Sequence, residues 1–376
     1  MSSSTTPQWY LPDQVFDGSS VRHNVAFCLT DGQVSALSDK QQLSQPPIPI
    51  NGMVSPGFFD IQVNGGGDVL FNNHPNVQGA KAIASAHRQF GTTHLLPTVI
   101  TDTPVVIDAA CQAVCDCAGT GGVAGIHIEG PHISTARSGT HSKSHIRPLD
   151  DQTIKSLHKL RDHGISTLIT LAPEAVSQGQ ISALVKRGVI VSLGHSDATA
   201  DEVEACLDEG AGLFTHLFNA MSQMSGRAPG MVGTAINSRA YCSIIADGKH
   251  VSPQMIQLAC NARPCTDRMI LISDAMPTVG GKPVFDLYGE TIKVCDGELI
   301  NAAGSLAGAH ITIAQSVDYL LHHTTLSIEN CLQMAITHPA MLMGKPQLSE
   351  IESMAVTDCI VLSENGHYSG PLSDSL

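Results

Sequence analysis

The sequence predicts an α/β fold whose main part is a closed barrel of eight parallel strands, with a small β-domain beside it. From about residue 56 onward, short apolar runs alternate with amphipathic stretches, which is typical of repeated βα units. Eight such runs occur, which matches a (β/α)8 barrel. The two chain ends carry short alternating segments instead.

The eight apolar runs are the candidate barrel strands. They are GFFDIQV, THLLPTV, GVAGIHI, STLITLA, VIVSLG, GLFTHL, CSIIAD and MILISD. Most precede a helical pattern, such as VQGAKAIASAHRQF or DDQTIKSLHKLRDHG. The segment GKPVFDLYGETIKVCDGELI predicts a β-insertion near residues 283–300, followed by a helix that begins near Ala309.

The chain ends predict one small β-domain between them. VFDGSSVRHNVAFCLTDGQVSALSD near the start and MAVTDCIVLSENGHYSG near the end both alternate, and neither could bury a core alone. We expect residues 1–55 plus 346–376 to form a flanking β-sandwich and residues 56–345 to form the barrel. The number of strands in the small domain stays open.

Composition excludes several classes of protein. The chain has 376 residues and a formal charge of −14, without a run of basic residues, which argues against a nucleic-acid surface. Its start, MSSSTTPQWYLPDQ, lacks the regions of a signal peptide, and no apolar stretch reaches membrane-spanning length. We expect a cytoplasmic protein without a membrane partner. Eleven cysteines, an odd number, favour reduced thiols over a disulfide framework.

Four chemically active residues lie at or just past the ends of candidate strands: Glu129, His195, His216 and Asp274. Functional groups of a (β/α)8 barrel lie at this face. One Glu and two neutral imidazoles are a typical ligand set for a divalent metal, and a nearby free carboxylate can accept a proton from a water that the metal activates. The pattern predicts a metal-assisted hydrolase.

Structural alternatives exist for these and other residues. The chain has 18 histidines, and most of them must lie outside any metal site. Asp274 in SDAMP could cap a helix instead of acting in catalysis. Cys111, Cys115 and Cys117 could form a thiolate site, but their spacing favours packing in a helix core. NGGGD is no nucleotide loop, because neither GK[ST] nor GxGxxG follows a strand.

Seven motifs in order carry a family resemblance. They are PGFFDIQVNGGGD, GIHIEGPH, LGHSDAT, HLFNAMSQMSGRAPGMVG, IADGKHV, LISDAMPTVGG and GSLAGA. The chain closely resembles the N-acetylglucosamine-6-phosphate deacetylases of the amidohydrolase superfamily. The resemblance implies a (β/α)8 barrel with a flanking β-sandwich, a homodimer, and removal of acetate from the 2-amino group of a small sugar phosphate.

The resemblance also implies roles for single residues. Glu129, His195 and His216 would be the metal ligands, and Asp274 would be the catalytic acid and base. Where many amidohydrolases carry His-x-His and two metals, this chain has Gln62 and Asn64, and neutral amides are poor ligands for a zinc-type ion. We therefore expect one divalent metal ion per subunit, with Zn²⁺ as the default and Fe²⁺, Co²⁺ or Mn²⁺ also fitting the ligands.

Substrate recognition falls, by the same resemblance, to five residues: His141, Asn219, Ala220, Arg227 and His250. Arg227 suits a phosphate because its planar fork donates two parallel hydrogen bonds. Arg227 and His250 are the first candidates to reach across a dimer interface. Strand alternation puts His127 on the same barrel face as Glu129. His127 could support the metal ligands from behind or simply pack inside the barrel. The role of His132 is open.

Two other functions stay in play. One is deacetylation of the galacto epimer, N-acetylgalactosamine 6-phosphate, since a single hydroxyl separates the two substrates. HLFNAM and DIQVN favour the gluco enzymes. The other is a non-catalytic amidohydrolase-like scaffold, against which the retained metal ligands and Asp274 argue.

Overall fold

The computed structural model describes residues 8–302 and 304–376, so the first seven residues of the predicted N-terminal segment lie outside the described residues. The chain begins with the strands of a flanking sheet. These are β1 (Gln8–Phe16), β2 (Val21–His23), β3 (Val25–Thr30), β4 (Gln33–Asp39) and β5 (Ile48–Pro56).

The central part of the chain forms the barrel. Its strands, with the short hairpin β7–β8, are β6 (Phe58–Val63), β7 (Gly65–Gly66), β8 (Val69–Leu70), β9 (Thr92–Ile100), β10 (Ile126–Glu129), β11 (Thr167–Leu171), β12 (Ile190–Leu193), β13 (Leu213–Phe214), β14 (Tyr241–Ile244) and β15 (Met269–Leu271). Within the described ranges, β6 and β9 to β15 form one eight-stranded sheet in chain order. A parallel bridge between Val63 and Ala275 joins the last strand to the first. The sheet is therefore closed, and all eight predicted strands contribute to it.

Helices cover the outside of the barrel. They are α1 (Val77–Arg88), α2 (Pro104–Cys117), α3 (Asp151–Asp162), α4 (Gln180–Lys186), α5 (Ala200–Asp208), α6 (Gly230–Asn237), α7 (Pro253–Ala262), α8 (Ile313–His323), α9 (Ile328–Leu332) and α10 (His338–Leu342). Local sequence starts them: Thr199 and Glu202 form a capping box at α5, and the Asp150 side chain accepts from the Thr153 amide at α3.

The β-insertion in the structure extends beyond the residues 283–300 that the sequence predicts for it. It consists of β16 (Val284–Leu287), β17 (Glu290–Cys295), β18 (Glu298–Ile300) and β19 (Leu306–Ala309), paired in that order. The insertion therefore continues to Ala309, and the following helix begins at Ile313 rather than near Ala309. The reason is that Ala309 pairs with Glu298, whereas Thr312 forms the capping box of α8.

Both chain ends meet in the flanking sheet. The C-terminal strands are β20 (Cys359–Leu362) and β21 (Tyr368–Pro371). For the described part of the chain, the seven-stranded sheet has the order β21-β20-β5-β1-β3-β4, with β2 beside β1. The predicted fold class, a barrel with a flanking β-domain made from both ends, is confirmed. The exact division at residues 55/56 and 345/346 stays a prediction.

The barrel strands are buried on both faces, as expected of a parallel sheet under helices. Every residue of β6, β10 and β11 is buried. Because the interior is packed with side chains, polar groups can meet a ligand only where the strands end.

A search of the described residues finds no helix with the length and apolar character needed to cross a bilayer.

Candidate active site

The carboxyl ends of four barrel strands bring the acid and histidine set together. Glu129 is the last residue of β10, and His195, His216 and Asp274 follow β12, β13 and β15. These three have positive backbone φ angles of 48°, 36° and 51°. Residues other than glycine rarely adopt this left-handed region, and such strained positions concentrate at functional sites. All four side chains line one cavity.

Three of these side chains form a tight triangle. Oε1 of Glu129 lies 3.0 Å from Nε2 of His216 and 3.2 Å from Nε2 of His195. The two Nε2 atoms are 3.0 Å apart. The Glu129 side chain is only 2% exposed, so solvent does not screen these groups. Atoms that carry lone pairs repel each other at this distance unless protons or a cation lie between them.

The second ring nitrogen of His195 sets its tautomer. Nδ1 lies 2.9 Å from the carbonyl oxygen of Arg137, and because a carbonyl only accepts, Nδ1–H donates. In the neutral ring the Nε2 lone pair then faces Glu129. A carboxylate oxygen and imidazole nitrogens with one ring fixed from behind are the donor set that divalent metals take in proteins.

Charge interactions shift the pKa values of Glu129 and His216 in opposite directions. Burial by itself raises the pKa of Glu129, but the interactions with His195 and His216 outweigh it and hold the pKa well below its usual range. Burial lowers the pKa of His216, but the hydrogen bond and charge of Glu129 outweigh it and raise the pKa. Glu129 is therefore a buried anion that needs positive charge beside it.

Asp274 is held by the two amide side chains of the first barrel strand. Its Oδ1 accepts from Nε2 of Gln62 at 3.1 Å and from Nδ2 of Asn64 at 2.6 Å. Nε2 of Gln62 also lies 3.0 Å from Oε1 of Glu129, so one amide bridges both carboxylates. Burial and the charge of Glu129 raise the pKa of Asp274 to about 6. A carboxyl group with this pKa exchanges protons readily near neutral pH.

Two further histidines face the same cavity, each fixed by a neighbour. Nδ1 of His141 lies 2.7 Å from Oγ1 of Thr101. Burial, together with the adjacent His195, lowers the pKa of His141 to about 3, so its ring is neutral at physiological pH. Nδ1 of His250 lies 2.6 Å from Oδ2 of Asp247, which orients that ring.

The cavity above these residues has a volume of about 310 Å³. The β-insertion supplies part of its wall through Leu306 and Gly308. Gly308 has a φ of 69°, and a Cβ there would lie 3.0 Å from the carbonyl oxygen of Asp274. Glycine at this position therefore lets the insertion come close to the acid.

The remaining predicted residues lie in three different places. Asn219 and Ala220 line the cavity, whereas Arg227 is exposed and absent from the described cavity wall. His127 is buried inside the barrel, where its Nε2 lies 2.7 Å from Oγ1 of Thr170. His127 therefore belongs to a polar layer beneath the cavity.

His132 and the cysteine group lie outside the cavity. His132 is buried, with Nδ1 3.1 Å from the carbonyl oxygen of Arg147. Cys111 and Cys117 are buried in the hydrophobic core, and Cys115 packs beside them. Burial raises the pKa of the Cys115 thiol, which fits packing rather than thiolate ligation.

Comparisons with known proteins agree with this architecture. The model of the amidohydrolase family matches residues 53–369.

The chain belongs to the amidohydrolase family.

Among curated relatives of this amidohydrolase, N-acetylgalactosamine-6-phosphate deacetylase of Shewanella sp. (strain ANA-3) is 41% identical over 362 residues, 94% of this chain and 91% of the relative. Human N-acetylglucosamine-6-phosphate deacetylase is 33% identical over 334 residues, 84% of this chain and 80% of the relative. The solved N-acetylglucosamine-6-phosphate deacetylase of Pasteurella multocida superposes with a TM-score of 0.88 at 29% identity, covering 96% of this chain and 97% of that one. The predicted family resemblance is confirmed.

In this amidohydrolase, Glu129, His141 and His195 offer ligand atoms that all lie within 4.8 Å of one another, with His216 beside them. A candidate metal site is therefore present at the barrel mouth. No helix of the described chain begins at Asp274, so the helix-cap alternative fails.

Sequence reasoning missed the residues that hold the amidohydrolase site in place. Thr101, Arg137 and Asp247 fix His141, His195 and His250, respectively. Thr101 and Asp247 follow barrel strands, so their positions after strand ends could have identified them as candidate site residues. Arg137 acts through its backbone carbonyl, for which the side chain gives no signal.

Proposed function

We propose that this amidohydrolase removes the acetyl group from N-acetyl-D-glucosamine 6-phosphate and releases D-glucosamine 6-phosphate and acetate. The observation that carries the proposal is the buried triangle of Glu129, His195 and His216 beside Asp274, in a chain whose relatives bear the names of deacetylases acting on such sugar phosphates. An amide is stable in water, so its hydrolysis needs a stronger nucleophile than water and a proton for the departing amine.

The triangle would hold one divalent cation per subunit. Its donor atoms fit the group, because a low-pKa carboxylate and two imidazoles, one with its tautomer fixed by the Arg137 carbonyl, converge at 3.0 to 3.2 Å. When bound, the cation would supply Lewis acidity that favours ionised water and stabilises a developing oxyanion. Zn²⁺ is our first choice, with Fe²⁺, Co²⁺ and Mn²⁺ as alternatives for the same ligands.

A single cation is proposed because of Gln62 and Asn64. Their amide nitrogens already donate to Asp274 and Glu129, at 2.6 to 3.1 Å. An amide N–H faces a carboxylate in each case, so these side chains position the acids, and their neutral amide oxygens would be weak ligands for a second zinc-type ion.

Asp274 would transfer the proton. Both amides bind Oδ1, which leaves Oδ2 as the oxygen without a described hydrogen bond. This oxygen would take a proton from the attacking water and then donate it to the departing nitrogen. The raised pKa of Asp274, about 6, makes both steps accessible near neutral pH.

Recognition of the sugar phosphate would involve four residues of the cavity: His141, Asn219, Ala220 and His250. His141 is neutral and would donate to the acetyl carbonyl oxygen, where negative charge develops. Arg227 is exposed on its own subunit, so its guanidinium would serve the phosphate across the interface of a homodimer. A charged sugar phosphate is retained within cells, which supports our placement of the protein in the cytoplasm.

The galacto epimer is the second candidate substrate. The relative that is 41% identical over 362 residues is named for N-acetylgalactosamine 6-phosphate. The two sugars differ at one hydroxyl, and a pocket that hydrogen-bonds this hydroxyl could discriminate strongly.

The test is acetate release by the purified protein from both sugar 6-phosphates and from unphosphorylated N-acetylglucosamine, after chelation and after Zn²⁺ is returned. Metal-dependent release that is fastest on the gluco 6-phosphate supports the proposal. Faster release from the galacto 6-phosphate would move the assignment to the epimer. If no acetate is released from any of the three compounds, deacetylation of amino sugars is overturned and the non-catalytic scaffold is favoured.

A further inference from the structure

We propose that Asp318, His322 and His367 form a second metal site, which clips helix α8 to the flanking β-sheet. These three residues, the clip cluster, lie outside the wall of the catalytic cavity. Asp318 and His322 are four residues apart on α8, so they lie on the same face of the helix. His367 is in the turn between β20 and β21. Their ligand atoms all lie within 4.8 Å of one another.

The geometry of the clip cluster converges on one oxygen. Oδ1 of Asp318 lies 2.6 Å from Nδ1 of His367 and 3.3 Å from Nδ1 of His322. The two imidazole centroids are 5.5 Å apart. This oxygen is shielded from solvent, yet it accepts no hydrogen bond of ordinary geometry from the described residues. The carboxylate oxygen Oδ1 of Asp318 therefore lies close to two imidazole nitrogens and has no hydrogen bond of ordinary geometry from the described residues.

The donor set suits a borderline metal ion. One carboxylate and two imidazoles, with water in the fourth position, are a common tetrahedral environment for Zn²⁺. Ni²⁺ and Cu²⁺ accept the same ligands. Nδ1 of His322 also lies 2.8 Å from the carbonyl oxygen of Asp318, so this ring would exchange one hydrogen bond for the metal bond. No charge is left isolated, because the cluster side chains are 38% to 55% exposed.

The site would connect two parts of the molecule. Helix α8 packs on the barrel through Val317 and Leu320, which belong to the main core. The β20–β21 turn already touches this helix, since a Cβ at Gly366 would lie 2.5 Å from Cδ1 of Leu321. A bound ion would add a strong link at this contact, and any ligand that binds only the folded state raises its stability.

The clip is tested by metal counting on variants that leave the catalytic cavity intact. Metal-depleted wild-type protein, His322→Ala and His367→Ala would be titrated with Zn²⁺ by equilibrium dialysis with elemental analysis. His323→Ala is the matched control, because His323 is the next residue on α8 and its ring contacts Tyr319 instead. We expect the wild type and the control to hold one more Zn²⁺ per subunit than the other two variants, or to bind it more than about tenfold tighter.

Thermal melting gives a second readout. Added Zn²⁺ should raise the unfolding temperature of the wild type and of His323→Ala more than that of His367→Ala. Equal Zn²⁺ content and equal melting shifts in all four proteins would overturn the clip. Because the readout is a difference between proteins that share the catalytic site, a failure of the proposed deacetylase activity would leave this result unchanged.

Discussion

The hydroxyl of Thr101 sets the tautomer of His141, and replacing it should slow the reaction. Among the described residues, Nδ1 of His141 at 2.7 Å is the hydrogen-bond partner found for this hydroxyl, and Thr101 is fully buried. A buried hydroxyl donates its hydrogen bond to an available acceptor, so Thr101 donates to Nδ1 of His141. The remaining ring proton of neutral His141 is then on Nε2, the nitrogen that lies 3.9 Å from Oε2 of Glu129. His141 therefore presents a donor at the cavity.

Thr101→Val keeps the shape of the side chain but removes the donor. Nδ1 is then buried without a partner, which costs about 1 to 3 kcal/mol. If this cost falls on the orientation of the ring in the transition state, kcat/KM drops by about 5- to 150-fold. We expect most of the loss in kcat, because a donor to developing charge acts in the transition state.

The assay is acetate release from N-acetylglucosamine 6-phosphate at saturating metal, with Thr101→Ser as the matched control. Serine keeps the hydroxyl, so it should restore most of the activity, and nitrogen NMR should show the Nε2–H tautomer in the wild type and in Thr101→Ser. Wild-type kcat/KM in Thr101→Val, or equal losses in both variants, would refute the reasoning. Equal melting temperatures would show that folding is not the cause.

Four further predictions concern the carboxylates. Asp274→Asn should keep metal and substrate while losing at least about a hundredfold in kcat, as removal of an acid–base group does; near-normal turnover would exclude Asp274 as the proton carrier. Glu129→Gln should lose the catalytic metal, and elemental analysis of the purified variant decides this. Because the Asn64 hydrogen bond lowers the pKa of Asp274, Asn64→Ala should move the acid limb of the kcat/KM profile to higher pH, and an unchanged or lowered limb contradicts that. Burial raises the pKa of Asp60 to about 7, above its ordinary 3.8, so between about pH 4 and 7 the folded protein binds a proton that the unfolded chain does not, and the free energy of unfolding falls as pH rises through this range. Asp60→Asn should flatten the dependence of the free energy of unfolding on pH, measured by denaturant, by on the order of 4 kcal/mol at most.

The sequence predicted the barrel strands well because their signal is local. Each apolar run, such as TLITL in β11, can be recognised from its own residues without knowledge of the neighbouring strands. The β-insertion was harder, since Leu306–Ala309 has little strand character and forms a strand by pairing with β18. Edge pairing of this kind depends on contacts that are distant along the chain.

The candidate site shows the same division. Glu129, His195, His216 and Asp274 were visible because active groups of a barrel follow its strands, and their motifs are ordered along the chain. The sequence could not show that Gln62 bridges two carboxylates, because that contact joins β6 to residues 67 and 212 positions away.

The sequence by itself determined the fold class and the family, and it pointed to the candidate active groups, because periodicity and motif order are properties of the chain. Only the tertiary structure decided which nitrogen of His195 faces Glu129, how Asp274 is held, and that Arg227 lies outside the cavity wall. These features depend on distances of about 3 Å between groups that the closed barrel brings together, and local sequence does not encode such distances.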